Sequence, residues 1–322
     1  MPSNLTLQFR SRSILAFYKR SSKSTFRTQA KQRSIENLIR QEPYSGMVTH
    51  GSQKRLTRSL ENLLQVAQWK EMQVNGKIYY WKVNFITLTL YSFGRRVPAK
   101  EAHKTCLEPF LRWMRSKGMS AYVWKGELQT KRKDCQQLHY HITSDVYIDC
   151  IEMRNKWNEL QRRAGYLDYY FEKFGHWNPN STDVHATYNK KNLIGYLKKK
   201  IVRYSDKKKY QHLRSKYLVK AEMAKSDQNQ LSIDGKVWDC SLNLKVAFFE
   251  LDAFEDITRE LATQVAKGET VKKEFEKCTV YELKDNPSLL IPWPHRAFYN
   301  DHIEKMRHFE RLKPDINSFS TS

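Results

Sequence analysis

The spacing of apolar positions changes character along the chain, and each change predicts an element. Leu56, Leu60, Leu63, Leu64 and Ala67 recur at helical spacing. From about residue 80 the period shortens to two. Over residues 85–91, Ile86, Leu88 and Leu90 fall on one face and Phe85, Thr87, Thr89 and Tyr91 on the other, the pattern of a half-buried strand. A stripe of Leu107, Phe110, Leu111 and Met114 then predicts a helix over 99–117, stopped by Gly118. Strands are predicted at 121–128 and 138–148, with the polar run 129–137 between them as a hairpin connection. Helices are predicted over 152–163 and 191–204. Beyond a charged linker at Lys207, Lys208 and Lys209 come a strand at 236–245, a helix over 246–266, a short strand near 280–283 and a polar tail.

The order strand, helix, strand, strand, helix, with one late helix, predicts an α+β fold built on a central antiparallel sheet with flanking helices. The chain divides on this reading into a basic N-terminal arm and helical segment (1–79), the α+β domain (80–205) and a smaller C-terminal α/β region (206–322). No internal repeat occurs.

Charge narrows the function. The 322 residues carry 57 Lys and Arg against 34 Asp and Glu, a formal net charge of +23. A surface this basic concentrates polyanions by releasing their counterions, which makes nucleic acid the expected partner. The arm is an extreme case: residues 1–40 hold Arg10, Arg12, Lys19, Arg20, Lys23, Arg27, Lys31, Arg33 and Arg40 against Glu36 alone. No stretch approaches the roughly 20 apolar residues of a spanning helix, and the N-terminus lacks the apolar core of a secretory signal. The expectation is a cytoplasmic protein with no membrane partner. The five cysteines, Cys106, Cys135, Cys150, Cys240 and Cys278, form no C-x-x-C pair and are read as reduced thiols.

The sharpest chemical signal is Leu138-His139-Tyr140-His141-Ile142. In a strand the two imidazoles project from one side while Tyr140 and Ile142 face the core, and two neutral imidazoles so placed can share a metal ion. Alone, the pair also fits ordinary surface histidines. The preceding strand changes the balance, because a hairpin would bring Glu127 beside them as a third ligand. Two imidazoles and a carboxylate suit Mg²⁺ or Mn²⁺ with positions left open for a phosphate oxygen. A zinc site drawing on Cys135 is the alternative.

A second constellation follows about 55 residues later. On a helix, Lys199, Lys200 and Arg203 share a face with Tyr196, placing a phenol beside cations that favour the phenolate and can clamp a phosphate. A basic helix with a core tyrosine is the plainer reading of the same residues. His185, in Asp183-Val184-His185, is read as a structural histidine or a polar support near the site.

Taken together, these residues resemble the HUH endonuclease superfamily, specifically rolling-circle replication initiators of the single-tyrosine type. Phe85-Ile86-Thr87-Leu88-Thr89 resembles its first motif, His139-Tyr140-His141 with Glu127 upstream its metal motif, and Tyr196-Leu197-Lys198-Lys199 its nucleophile motif, in family order over roughly residues 80–205. The resemblance implies an HUH or RRM-like palm and a metal site of Glu127, His139 and His141. It also implies attack by Tyr196 on a phosphodiester at a replication origin. A 5′-phosphotyrosine would form and a 3′-OH primer would be freed, with Lys199 or Lys200 countering the developing charge. It further implies DNA contacts at Thr87, Thr89, Lys198 and Arg203 and a bacterial host. No Walker A pattern occurs, so a separate helicase and a polymerase would be partners. No second tyrosine stands three or four residues after Tyr196, leaving water, a second subunit, Tyr204 or Tyr188 to complete strand transfer.

Three other readings share some of these features. A relaxase places its tyrosine before the histidines, the reverse of the order here. A single-tyrosine transposase shares the order but is a more compact chain. A non-catalytic single-strand-binding protein explains the charge and the aromatics but not the grouping of Glu127, His139, His141 and Tyr196.

Overall fold

A computed structural model of the chain describes residues 5–18, 50–74, 76–92, 97–129, 137–187, 236–252, 255–284 and 287–308. The chain forms two compact units: Tyr44–Lys245, and Met1–Pro43 together with Val246–Ser322. The first of these is therefore an insertion in the sequence of the second. The boundaries at 79/80 and 205/206 follow changes in charge and period, whereas the contacts change partners near 43 and 245.

The inserted unit carries helix α1 (His50–Val66), a hairpin of β3 (Lys70–Val74) and β4 (Lys77–Trp81), and a five-stranded sheet. The sheet comprises β5 (Val83–Thr89), β6 (Tyr122–Gln129), β7 (Gln137–Ser144), β8 (Thr182–Thr187) and β9 (Trp238–Cys240), in the order β8-β5-β7-β6-β9. Every pairing is antiparallel. Between β5 and β6 lies α2 over residues 99–116, in which Ala99–Ala102 and Glu108–Ser116 are joined by a wider π turn at His103–Leu107. After β7 come α3 (Cys150–Arg163) and α4 (Asp168–Phe174). Asp149 caps α3, its carboxylate accepting from the backbone N–H of Ile151 and Glu152 at 2.8 and 3.2 Å, two donors the first helical turn leaves unpaired.

The alternation read over 85–91 holds: Ile86, Leu88 and Leu90 are fully buried, as is the stripe of Leu107, Phe110 and Met114 with Leu111 close behind. One sheet face packs on α2 and α3 in a core that includes Ile86, Leu88, Tyr140, Ile142, Phe110 and Trp157. Each such large apolar side chain contributes about 1.5–3 kcal/mol through the surface it removes from water. Trp157 also donates its indole N–H to the carbonyl of Thr89 at 2.8 Å, tying the end of β5 to α3. On the opposite face, Cys240 stands opposite Val123 and donates its thiol to Ser59 of α1 at 3.2 Å, so α1 covers one end of that face.

The second unit is a five-stranded antiparallel sheet in the order β10-β1-β2-β12-β11, with β1 (Leu5–Phe9), β2 (Ser13–Tyr18), β10 (Phe249–Asp252), β11 (Thr270–Phe275) and β12 (Cys278–Leu283). Its helices are α5 (Glu255–Ala266) and α6 (Trp293–Arg307). Four expectations are corrected here. Residues 5–18 of the basic arm form strands, since Leu5, Leu7 and Phe9 alternate and their partner β10 lies some 240 residues away. The helix expected over 246–266 begins only at Glu255, because Phe249–Asp252 pairs with β1. The strand expected at 236–245 is limited to Trp238–Cys240 and passes into a 3₁₀ turn at Leu242–Leu244. The polar tail contains α6, whose Tyr299, Ile303 and Met306 are buried at helical spacing. The connection 130–136 and the predicted helix at 191–204 lie outside the described residues.

The described part is thus mixed α and β with antiparallel sheets, as the periodicity predicts. Among the described residues no helix is long and apolar enough to cross a membrane. Cys106, Cys150, Cys240 and Cys278 form no disulfide.

Candidate metal centre

The site is built by register. Across the hairpin Glu127 stands opposite His139, and Lys125 opposite His141. On the other side of β7, Thr89 stands opposite His139 and Thr87 opposite His141. Directly paired residues in an antiparallel sheet project from the same side, so two threonines, two histidines, a glutamate and a lysine occupy one patch. Tyr140 and Ile142, between and beyond the histidines, are buried on the core side.

The contacts follow from that placement. The Thr87 hydroxyl lies 3.2 Å from Nδ1 of His141, and the Thr89 hydroxyl 3.3 Å from Nδ1 of His139. When each Nδ1–H donates to its threonine, the Nε2 lone pair is left to face outward, the tautomer a metal ligand requires. Phe85 stacks on the His141 ring, with centroids 5.4 Å apart and planes 16° apart, and fixes it from a second side. Lys125, nearly fully buried, donates to Oε1 of Glu127 at 2.7 Å, and Oε2 of Glu127 lies 3.6 Å from Nε2 of His141. Burial opposes ionisation of Glu127, but the imidazole of His141, in the form that carries its proton on Nε2 and gives it up to bind an ion, and the ammonium of Lys125 outweigh it and hold the carboxyl well below the usual carboxylate range. Glu127 is therefore an anion at neutral pH.

Among the described residues no three His, Cys, Asp or Glu side chains stand together closely enough to hold an ion as placed. The donor set nonetheless fits a hard divalent cation: one carboxylate, two imidazoles with Nδ1 engaged, and a carboxylate oxygen already turned toward His141. The strand pairing places Glu127 opposite His139, as the hairpin expectation requires. Lys125 is the residue of this patch that the sequence alone did not single out. A lysine at a strand position flanked by Trp124 and Gly126 was the available signal, since its alternation assigns it to the histidine side.

Thr87 and Thr89, expected to contact DNA, are placed with their hydroxyls on the imidazoles. His185 lies on edge strand β8, exposed, with Nε2 2.7 Å from the carboxylate of Asp183. Asp183 stands opposite Thr87, on the same side of the sheet as the histidines. Tyr188, Tyr196, Lys198, Lys199, Lys200, Arg203, Tyr204 and Cys135 lie outside the described residues. No protein-family model, curated protein or solved structure matches the chain.

Proposed function

We propose that the chain is a metal-dependent endonuclease of the HUH type, an initiator of rolling-circle replication that nicks and rejoins single-stranded DNA at an origin. The observation that supports this most is the register that sets Glu127 against His139 and places His141 beside both, each imidazole backed by a threonine hydroxyl. The finer fold assignment, an HUH palm, belongs to the same proposal. It is supported by strand order β8-β5-β7-β6, with the histidine strand central and α2 and α3 on the opposite face.

On this reading His139, His141 and Glu127 would hold Mg²⁺ or Mn²⁺. The bound ion supplies Lewis-acid polarisation of a scissile phosphodiester. The protein's own part is positional and electrostatic. Thr87 and Thr89 hold the rings in one tautomer, and Lys125 holds one oxygen of Glu127 so that the other faces the site. The Tyr196 hydroxyl attacks phosphorus: the bond from Oη to phosphorus forms and the bond from phosphorus to the 3′ oxygen breaks. The proton ends on the 3′-OH, which serves as primer. Lys199, with Lys200 as the alternative, counters the developing negative charge, and Lys198 and Arg203 contact the strand. A separate helicase and polymerase act with the protein.

The test incubates the protein and Tyr196→Phe with labelled single-stranded origin oligonucleotides, with Mn²⁺ or with chelator. A covalent protein–DNA adduct that requires Mn²⁺ and disappears in the variant is expected. An adduct that persists in Tyr196→Phe overturns the nucleophile. His139→Ala and His141→Ala should each lower nicking by at least about 10²-fold, the scale of one lost transition-state stabiliser, while retaining salt-sensitive DNA binding.

A further inference from the structure

The inserted unit contains a second group of side chains that neither its core nor the metal centre uses. Tyr169, Tyr170, Phe171, Phe174, His176 and Trp177 bring six rings into nine consecutive positions. Helix α4, which carries four of them, buries no residue at all. Tyr169 and Phe174 are each half exposed and Phe171 is 39% exposed. Aromatic side chains normally dominate cores because each hides a large apolar surface, so a helix that leaves three exposed and a fourth half-buried calls for a reason.

The rings form an organised surface. Phe171 and Trp177 stack nearly parallel, with centroids 4.3 Å apart and planes 11° apart. Tyr170 contacts Phe174 at 4.6 Å and meets His176 edge-on at 5.3 Å. The turn that carries His176 and Trp177 is held from below. Gly175 ends α4 in the left-handed region at φ 72°, open to glycine without strain. Buried Asn158 of α3 then donates to the Asn178 side chain and the Pro179 carbonyl, each at 3.0 Å. The rings are thus presented by anchored backbone, which lowers the ordering cost of binding anything flat.

Their location connects them to the metal centre. Tyr91 continues the alternation of β5 two residues past Thr89, with Leu90 buried between them. The Tyr91 ring meets Tyr170 edge-on at 5.5 Å, and its hydroxyl donates to the Asn180 carbonyl at 3.2 Å. The backbone N–H of Thr89 in turn donates to the Ser181 carbonyl at 2.8 Å. His139, Thr89, Tyr91 and Tyr170 therefore form a continuous path from the histidines to the rings.

We infer that this aromatic surface, centred on Phe171, Phe174 and Trp177, is a stacking platform for unpaired bases of single-stranded DNA running to the metal centre. The inference rests on the nicking reading for its substrate class. Two features favour nucleic acid over an apolar protein partner. The chain's charge of +23 attracts a polyanion. Lys173 stands over the Phe174 ring at 5.5 Å, pairing a cation with a π-face as single-strand grooves do.

The test measures affinity for a fluorescent single-stranded oligonucleotide by anisotropy, in chelator so that no chemistry intervenes, across a salt series. Trp177→Ala and Phe174→Ala should each weaken binding by about 5- to 150-fold, the range for one stacked base, with the salt slope unchanged because phosphate contacts are untouched. Trp177→Phe should bind nearly as wild type. An oligonucleotide abasic at the contacted positions should bind wild type weakly and show no further loss with the variants. Phe174 packs on no buried residue of its own helix, so its variant reports binding even where Trp177→Ala fails to fold. Equal affinity of folded Phe174→Ala and wild type overturns the platform and leaves an apolar protein partner as its occupant; so does the same loss on abasic DNA. A wild type that stacks bases but forms no tyrosine adduct overturns only the nicking reading. One that forms the adduct while Phe174→Ala binds normally overturns only the platform.

Discussion

Among the described residues the chain builds a five-stranded antiparallel sheet twice, and one of the two carries the candidate centre. In the unit formed by Met1–Pro43 and Val246–Ser322, the described residues hold basic and acidic side chains in equal number, and the ion pairs lie on the surface, as in Lys272–Glu274 and Lys305–Asp301. Such exposed pairs contribute little. In the inserted unit the described residues carry an excess of Lys and Arg, and one pair, Lys125–Glu127, is almost fully withdrawn from water beside two imidazoles. The architecture is similar; what differs is which polar side chains the register gathers on one face. A site is therefore a property of register and residue type, not of the sheet that carries it.

That contrast is open to attack from several directions. The largest expected effect is on stability. Phe9→Ala removes a fully buried ring that meets Tyr299 edge-on, and it should destabilise its unit by about 3–5 kcal/mol. Calorimetry should show the loss while Mn²⁺ affinity, measured by titration without DNA, stays at the wild-type value. A parallel fall in Mn²⁺ affinity would mean that the site depends on both sheets.

Next come the threonines. Thr87→Val and Thr89→Val preserve shape and β-branching but remove the oxygen from each imidazole, and each should lower Mn²⁺ affinity by about 10- to 100-fold, the usual cost of a lost partner behind a metal-bound histidine. Thr→Ser at either position should restore it. If the valine variants instead bind Mn²⁺ normally and lose DNA affinity, the hydroxyls contact DNA, as the sequence resemblance implies.

A smaller effect is expected at Asp239 on β9. Burial opposes its ionisation, but Lys245, Lys236 and the Cys240 backbone N–H together hold its carboxyl below the usual range. With the folded value lowered, the unfolded chain takes up the proton first. The stabilisation is complete above the unfolded value near 4 and is lost as pH falls below it. In Asp239→Asn the melting temperature should fall less steeply below pH ~4 than in wild type, and identical acid limbs would remove Asp239 from the account.

The smallest effect belongs to Tyr140. Its hydroxyl is buried with no hydrogen-bond partner, and burial pushes its pKa upward. Tyr140→Phe should be neutral or stabilising by up to about 1 kcal/mol in thermal melts, since no bond is lost and a desolvated oxygen is removed. A loss of several kcal/mol would reveal a partner for that oxygen.

Legibility in the sequence follows how local each signal is. The strand 83–89, the helix over 99–116 and the strands flanking the basic run were readable because a two- or 3.6-residue period is a local consequence of one buried face. The same periodicity assigned His139 and His141 to one side and Tyr140 to the other. Strand β10 was misread as helix because Phe248, Phe249 and Leu251 follow no clear period, and what makes them a strand is β1, far away in sequence. The first strands were lost within a run dominated by its charge. The helix α4 aromatics carried no period that separates a core from a platform, since only burial distinguishes them.

Composition and alternation by themselves thus determined the strongly basic charge, the α+β class and the pairing of two imidazoles on one face. Only the tertiary structure decided that Glu127 and Lys125 complete that face, that Thr87 and Thr89 stand behind the imidazoles, and that residues near the two ends of the chain share one sheet. The reason is physical: facing direction is set by each residue's own backbone, whereas contact between strands is set by pairing register, which depends on residues that local sequence does not contain.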